Sequence, residues 1–328
     1  MGETTKISWC SHTFNSHVGC QRVAKGCENC YAEYLMDDRY HRVKWGPLPE
    51  GTRSMTKTWD DPPRWNRAVP EGETRKVFCC SLADVFEDWK GDIIDSKKRR
   101  LWVPREGGGR KKYQPETPQG SFADMRPVTM DDIRRELFGL IDVTPRLLWL
   151  LLTKRPQNIR RMWRGGSYVT TIPDGNYTRD KIVHVPFPKR ENVMLGTSVA
   201  HQPDVDEYIP PLIACKELAR FLFLSVEPQI GEITLRKYLP HVDWVIIGGE
   251  SSQSSEARPY QIEWAERLVD ECAEFNVACF VKQVGTHAKE GAIPLQLSDH
   301  HGANPLDWPE KLRVRECPEA FYPELVTA

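Results

Sequence analysis

The sequence LLWLLL at residues 147–152 passes directly into Thr153-Lys154-Arg155-Pro156. A run that is apolar at every position is typical of a strand covered on both faces, as in a parallel sheet. Shorter runs of Val, Ile, Leu and Phe occur elsewhere in the chain and end at polar or glycine residues. They lie at residues 76–80, 193–195, 221–224, 244–247 and 278–281, and an earlier strand is predicted near residues 13–18. The sequence therefore predicts about seven β/α units.

Amphipathic helical patterns separate several of these predicted strands. Residues 129–143 and 259–275 repeat apolar side chains at helical spacing, and Pro127 and Pro259 stand where the two helices are expected to start. Alternation of buried strands with such helices predicts an α/β protein, either a β/α barrel or a doubly wound parallel sheet. In both architectures the residues that follow the strands meet at one edge, where active sites form.

Two stretches interrupt this alternation, and the end of the chain departs from it. Residues 88–125 and 160–190 contain glycine, proline and charged runs without a regular period, which predicts inserted loops or lids. We therefore expect one barrel domain over residues 1–290 and an irregular C-terminal extension over residues 291–328.

The composition restricts the classes of partner and the location of the protein. Lys and Arg total 45 and Asp and Glu total 46, so a net charge of −1 provides no global attraction for nucleic acid or an anionic membrane. The longest apolar run is too short to span a bilayer, and the first thirty residues lack a signal-peptide pattern. A cytoplasmic protein is expected, in which the ten cysteines stay reduced.

Three of these cysteines fall in one short segment. Cys20, Cys27 and Cys30 are separated by six and two residues. Thiolates select iron–sulfur clusters, zinc or copper(I), and three of them leave one coordination position to another ligand. The segment follows the first strand of a large predicted barrel, whereas structural zinc usually stabilises a small module, and this favours a cluster. A zinc site completed by His17 or His12 is the alternative.

Six motifs follow one another along the chain. They are Gly19-Cys20 with Cys27-x-x-Cys30-Tyr31-Ala32-Glu33, Ser81-Leu82-Ala83-Asp84-Val85-Phe86, Leu151-Leu152-Thr153-Lys154-Arg155-Pro156, Leu224-Ser225-Val226-Glu227-Pro228, Gly248-Gly249-Glu250-Ser251 with Ala257-Arg258-Pro259, and Lys282-Gln283-Val284-Gly285. In these motifs the chain resembles an uncharacterised family of phage and bacterial three-cysteine-motif proteins, grouped with radical-SAM-like barrel proteins. The resemblance implies a partial TIM-type parallel β/α barrel with inserted loops, a [4Fe-4S] cluster on the three cysteines, and S-adenosylmethionine at its open iron.

The chain departs from the usual radical-SAM pattern in two respects. The usual cysteine spacing is three and then two residues, and the usual Gly-Gly-Glu element follows the second strand. Here Ser81 and Asp84 occupy that place, and Gly248-Gly249-Glu250 follows a much later strand. The candidate cofactor-binding residues are Tyr31, Ser81, Gly248, Gly249 and Glu250, and the candidate catalytic residues are Asp84, Lys154, Glu227 and Lys282.

The chemistry of these residues suggests how they would hold the cofactor. Glu227 and Glu250 are expected to accept hydrogen bonds from an ammonium group. Lys154, Arg155 and Lys282 are expected to pair with carboxylate or phosphate. A hydrogen-donor role for Cys79 or Cys80 is a further hypothesis, and at most one of these neighbours can face the barrel interior.

Two other functions remain open at this stage, together with two partners. One is a non-enzymatic binding module stabilised by zinc or a cluster, and the other is a barrel hydrolase or nuclease that uses Asp84, Glu227 and Glu250 with a metal. Nucleic acid is a possible partner because loops 97–113 and 160–164 interleave cations with aromatic residues. A radical enzyme would also need an electron donor, which the sequence does not identify.

Overall fold

Seven parallel strands form the central sheet of the computed structural model. The structure describes residues 5, 7–105, 113–116, 124–174, 177–185, 187–251 and 257–318, and it describes their side chains except those of residues 166–185. In sheet order, which is also chain order, the strands are β1 (His12–Thr13), β2 (Arg75–Cys79), β3 (Leu147–Thr153), β4 (Arg190–Ser198), β5 (Ala219–Val226), β6 (Trp244–Gly248) and β7 (Ala278–Gln283). Every neighbouring pair is parallel. The sheet curls into a half barrel, which confirms the prediction of a parallel β/α architecture.

Both faces of this sheet are covered by apolar side chains. Along β3, Leu148 and Leu150 point to an inner cluster that includes Trp244 and Phe280. Trp149, between them, belongs to the main core on the other face. Successive side chains of a strand point to opposite faces, so the unbroken apolar run of β3 results from burial on both sides.

Within the residues that the structure describes, six α-helices accompany the sheet. They are α1 (Tyr31–Glu33), which continues into a π-helical turn at Tyr34–Arg39, α2 (Asp61–Ala68), α3 (Met130–Asp142), α4 (Ile159–Met162), α5 (Gln202–Ile213) and α6 (Ile262–Glu274). The two helices predicted from periodicity are α3 and α6. Helix α6 begins later than predicted because Tyr260–Gln261 pairs with the strand Ala288–Glu290.

The two predicted insertions contain regular structure. The first includes the short strands Ile93–Ile94, Leu101–Pro104, Gln114–Pro115 and Met125–Pro127. The second contains an antiparallel hairpin of Gly166–Asp174 and Tyr177–Val185. The strand predicted near residues 13–18 is divided, because only its start lies in the central sheet. His17–Val18 instead pairs antiparallel with Arg53–Met55, in a small sheet beside it.

The described part of the C-terminal extension, up to residue 318, lies against the last strand of the sheet. Arg315 forms an antiparallel bridge with Phe280 of β7, and the Val281 amide donates to the Val314 carbonyl at 2.9 Å. Trp308 and Leu312 are buried in the main core. Among the described residues, no helix is both long enough and apolar enough to cross a membrane.

Candidate functional site

A cavity of about 490 Å³ opens at the C-terminal ends of the parallel strands. The candidate residues that line it are Cys20, Cys27, Cys30, Tyr31, Ser81, Asp84, Lys154, Glu227, Gly249, Glu250 and Lys282. Gly248 lies behind the wall, where a Cβ atom would stand 2.9 Å from Oε1 of Glu227. The structure therefore brings the sequence-predicted site residues together around one cavity, with Gly248 as a backbone support.

Residues 20–30, which carry the three cysteines and are called the cysteine segment, lie directly on the strand ends. At Gly19 φ is +111°, and a Cβ atom there would be 2.5 Å from the Thr52 carbonyl oxygen, so the turn into the segment requires glycine. Gly26 lies against the loop after β4, where its Cβ atom would be 2.9 Å from that of Ala200. Any larger residue at position 26 would move the segment away from the cavity.

Two of the three thiols pack on one small apolar cluster. Cys20 and Cys30 contact a group that includes Val18, Met36 and Trp45. Burial raises the pKa of Cys20 to about 12, although the guanidinium of Arg155 opposes this shift with its Nη1 atom 3.4 Å from Sγ. Burial also raises the pKa of Cys30. These thiols need a metal or another cation to be held as thiolates, because burial disfavours the charged form.

The donor set has the composition expected for a cluster. All three cysteines are free, and Arg155 supplies a donor to one sulfur, as the sulfur ligands of clusters often receive. In the described part of the chain, no three His, Cys, Asp or Glu side chains are grouped so as to hold a single metal ion. A single zinc ion would need such a grouping, whereas Cys20, Cys27 and Cys30 would each bind a separate iron if they held a cluster.

The two histidines considered for a zinc site lie elsewhere. The ring of His12 stacks on Trp65 with centroids 4.5 Å apart. His17 is fully buried, its Nδ1 lies 3.0 Å from the Ser16 hydroxyl, and burial lowers its pKa to about 3. Neither side chain lines the cavity that the cysteines share.

Asp84 anchors the motif that follows β3. Its carboxylate accepts hydrogen bonds from the Thr153 hydroxyl at 2.7 Å, from the Lys154 amide at 3.1 Å and from Nη1 of Arg155 at 2.8 Å. The side chain is 5 % exposed. Asp84 therefore orients Arg155 towards Cys20. The Asp84 carboxylate is engaged with protein groups and is not a free carboxylate open to substrate.

The strand ends of β3, β4, β5 and β7 supply a connected polar chain. Lys154 Nζ donates to the Ser198 hydroxyl at 2.8 Å, and this hydroxyl donates to the Glu227 carbonyl at 3.0 Å. Oε1 of Glu227 lies 2.8 Å from Nζ of Lys282, and its Oε2 accepts from the Ser225 hydroxyl at 3.2 Å. Two cations and one carboxylate thus face the cavity in an arrangement suited to an amino-acid zwitterion.

Glu250 binds Arg258 and Asn29, and its position in the sequence did not predict these contacts. It binds Arg258 through a hydrogen bond of 2.6 Å to Nη2, and it accepts from Asn29 Nδ2 at 3.1 Å. Burial favours the neutral carboxyl, but the hydrogen bonds from Arg258 outweigh this effect and lower the pKa of Glu250. Arg258 also donates to the Lys25 carbonyl at 3.1 Å. The pair therefore fastens the cysteine segment to the end of β6.

Ser81 and Cys80 line the cavity just after β2, next to Tyr31 of α1. The hydroxyl of Tyr31 donates to the Ser81 carbonyl at 2.6 Å, and Asn15 donates to the Ser81 hydroxyl at 3.1 Å. Of the neighbouring cysteines, Cys80 lines the cavity whereas Cys79 does not, and their sulfurs are 3.1 Å apart. The hydrogen-donor hypothesis thus concerns Cys80.

The basic loops 97–113 and 160–164 contain several ion pairs. Arginines in both loops pair with nearby carboxylates, namely Arg99 with Asp95, Arg100 with Asp92, Arg160 with Glu217, Arg161 with Asp88 and Arg164 with Asp131. Trp163 is buried, packs on Phe138 and donates from Nε1 to the Pro188 carbonyl at 2.9 Å, so it offers no free ring to a base. The basic run 110–112 lies outside the described residues.

Sequence reasoning missed several contributors to the site. Asn29, Arg258 and Ser198 belong to it through contacts between distant segments. The placement of Arg258 in the motif Ala257-Arg258-Pro259 was a usable signal. No comparable signal marked Arg53, which lies fully buried beneath the site and binds Glu87.

Comparison with known protein families identifies the family of this chain. A model of the family described as "Protein of unknown function (DUF5131)" matches residues 4–103 and 110–314. No curated protein and no solved structure matches the chain. The matched residues include the cysteine segment and every strand end that lines the cavity.

Proposed function

The chain belongs to the DUF5131 family, and we propose that it is a radical-SAM-like enzyme that binds a [4Fe-4S] cluster through Cys20, Cys27 and Cys30 and cleaves S-adenosylmethionine reductively. The observation that carries the proposal is the position of the three thiols. They share one cavity with the charged residues at the ends of the parallel strands, where barrel enzymes hold their substrates.

In this proposal the cluster supplies one electron for cleavage of the sulfonium. The protein supplies the groups that bind and orient the cofactor. Lys154 and Lys282 pair with its carboxylate, Glu227 accepts from its ammonium group, and Tyr31 lines the cavity wall. Arg155 donates to Cys20 and favours its thiolate form.

The geometry gives less support to a metal-dependent hydrolase. Each of the three carboxylates proposed for that chemistry already has a cationic partner, Arg155 for Asp84, Lys282 for Glu227 and Arg258 for Glu250. A hard metal would have to displace all three partners. The cysteine segment would also have no role in such an enzyme.

The experiment is a metal and cleavage assay on protein purified without air. After reconstitution we expect a brown protein with about four iron and four sulfide per chain. With dithionite as the electron source, S-adenosylmethionine should lose its sulfonium–C5′ bond to give methionine and a 5′-deoxyadenosyl radical, which takes a hydrogen atom from the protein or buffer and is measured as 5′-deoxyadenosine by mass spectrometry. Cys27→Ala should lose iron and cleavage, because the cluster would then keep only two protein ligands.

Cys317→Ala is the matched control, because Cys317 is also partly exposed but lies outside the cavity. It should keep both iron and cleavage. Colourless protein that carries one zinc per chain after the same handling would refute the proposal. Cleavage that persists in the Cys27 variant would also refute it.

A further inference from the structure

A second cavity, of about 410 Å³, lies between residues 88–91, the start of α3 and the end of α4. Lys90, Arg134, Arg161 and Arg164 line it, with an apolar wall that includes Trp89. None of its lining residues lines the cysteine cavity. The second cavity is therefore a separate feature, rich in cations.

Arg134 is the central cation of this cavity. It is 5 % exposed, and Nη1 donates to the backbone carbonyls of Val85 and Glu87 at 3.4 and 3.1 Å. Within the described residues its Nε atom has no hydrogen-bond partner, and its ion pair with Asp131 is long, at 3.8 Å. Burial lowers the pKa of Arg134 to about 10. A buried guanidinium without a close counterion is costly, and a bound anion would offset that cost.

The carboxylates at this cavity are already shared. Asp131 also pairs with Arg164 and, at 3.2 Å, with Arg135 outside the cavity. Asp88 lies 2.7 Å from Lys90 and 3.2 Å from Arg161. Two carboxylates thus face four lining cations, and α3 adds the positive end of its dipole because it begins at Met130. The cavity has more positive charge than its own acids neutralise.

A second donor in the wall is also unpaired. The Nε atom of Arg164 is buried and, in the part of the chain that the structure describes, has no hydrogen-bond partner. Guanidinium groups present planar pairs of donors that match the oxygens of phosphate. A cavity with three such groups is therefore better suited to a phosphate than to a small inorganic cation or an apolar ligand.

We propose that this cavity binds the phosphate of a phosphate monoester or diester through Arg134, Arg161 and Arg164. Its volume exceeds that of the phosphate alone and leaves room for an attached organic group. The phosphate belongs either to a free nucleotide or to a nucleic-acid backbone. This proposal is independent of the cluster, because it uses other residues.

The test is isothermal titration of the full chain with adenosine 5′-monophosphate, an eight-residue oligothymidylate and adenosine. We expect at least one phosphate-bearing probe to bind, and adenosine not to bind. Arg161→Gln and Arg164→Gln should each weaken binding at least tenfold, because each removes a charge-assisted hydrogen bond. Arg236→Gln is the matched control, since Arg236 is a similarly exposed arginine paired with Glu274 on another helix, and it should bind as the unaltered protein does.

Asp131→Asn separates an effect on binding from an effect on folding. It removes a carboxylate that competes for the cavity cations, so binding should become tighter, which misfolding cannot produce. Binding of the mononucleotide alone identifies a free phosphate monoester as the ligand. Binding of the oligonucleotide that weakens steeply with salt identifies a nucleic-acid backbone. Absence of binding by both phosphate probes, or unchanged affinity in the two arginine variants, overturns the proposal.

Discussion

A fully buried ion pair lies beneath the cysteine segment. Nε and Nη2 of Arg53 lie 2.6 and 2.8 Å from the carboxylate oxygens of Glu87, and both side chains are inaccessible to solvent. Arg53 also donates to the Thr52 and Gly46 carbonyls, and Oε1 of Glu87 lies 3.5 Å from Arg155. The Arg53–Glu87 pair thus connects the core to Arg155, which contacts Cys20.

Glu87→Gln should test this pair directly. The change leaves the Arg53 guanidinium buried without a counterion, so we expect the free energy of unfolding to fall by about 3–5 kcal/mol. Urea denaturation would measure it. Glu274→Gln, which removes the exposed partner of Arg236, should cost less than about 1 kcal/mol. Equal losses of unfolding free energy in the two variants would show that the buried pair contributes no more to stability than the exposed pair.

Helix α3 illustrates how a local signal defines an element. The Thr129 hydroxyl accepts from the Asp132 amide at 3.3 Å, and the Asp132 carboxylate accepts from the Thr129 amide at 2.9 Å. Burial favours the neutral form of Asp132, but hydrogen bonds from Arg126 and Thr129 outweigh it and lower its pKa to about 2. This reciprocal cap explains why α3 begins at Met130.

The contribution of Asp132 should depend on pH. Its folded pKa of about 2 is below the ordinary value of about 3.9, so its stabilisation is present above pH 4 and is lost as pH falls towards 2. Asp132→Asn should lower stability by about 1–2 kcal/mol at pH 7, and the difference should shrink in urea titrations below pH 4. Asp270→Asn, an exposed control, should cost less than about 1 kcal/mol at either pH. A difference that does not change with pH would contradict this account.

The whole molecule is an open half barrel whose last strand is covered by the C-terminal segment. Residues 314–316 extend the hydrogen bonding of β7, where the Glu316 amide donates to the Cys279 carbonyl at 2.8 Å. Trp308 is 2 % exposed and donates from Nε1 to the Gly302 carbonyl at 3.0 Å. The segment therefore belongs to the same core as the barrel, and it also protects an otherwise open sheet edge.

Trp308→Ala should measure how much this cover contributes. Removal of a buried indole leaves a large cavity in the core, so we expect a loss of about 3–5 kcal/mol in chemical denaturation. Leu306→Ala, two residues away and 77 % exposed, should change stability by less than about 0.5 kcal/mol. If the two variants unfold at the same denaturant concentration, the segment is not part of the cooperative fold.

The sequence by itself determined the parallel sheet, the helices α3 and α6 and the meeting of the predicted site residues at one cavity. Apolar periodicity and caps are local properties, and the ends of parallel strands must meet at one edge. It also predicted that at most one of Cys79 and Cys80 faces the barrel interior, and of the two only Cys80 lines the cavity.

Only the tertiary structure decided which charges meet. Asp84 orients Arg155, and Glu250 binds Arg258 and Asn29 across the cysteine segment. The buried Arg134 lies in a second cavity with Arg161 and Arg164, and no sequence pattern indicated that these three arginines meet. Such pairings depend on the reach and direction of side chains from segments far apart in the chain, and local periodicity carries no information about either.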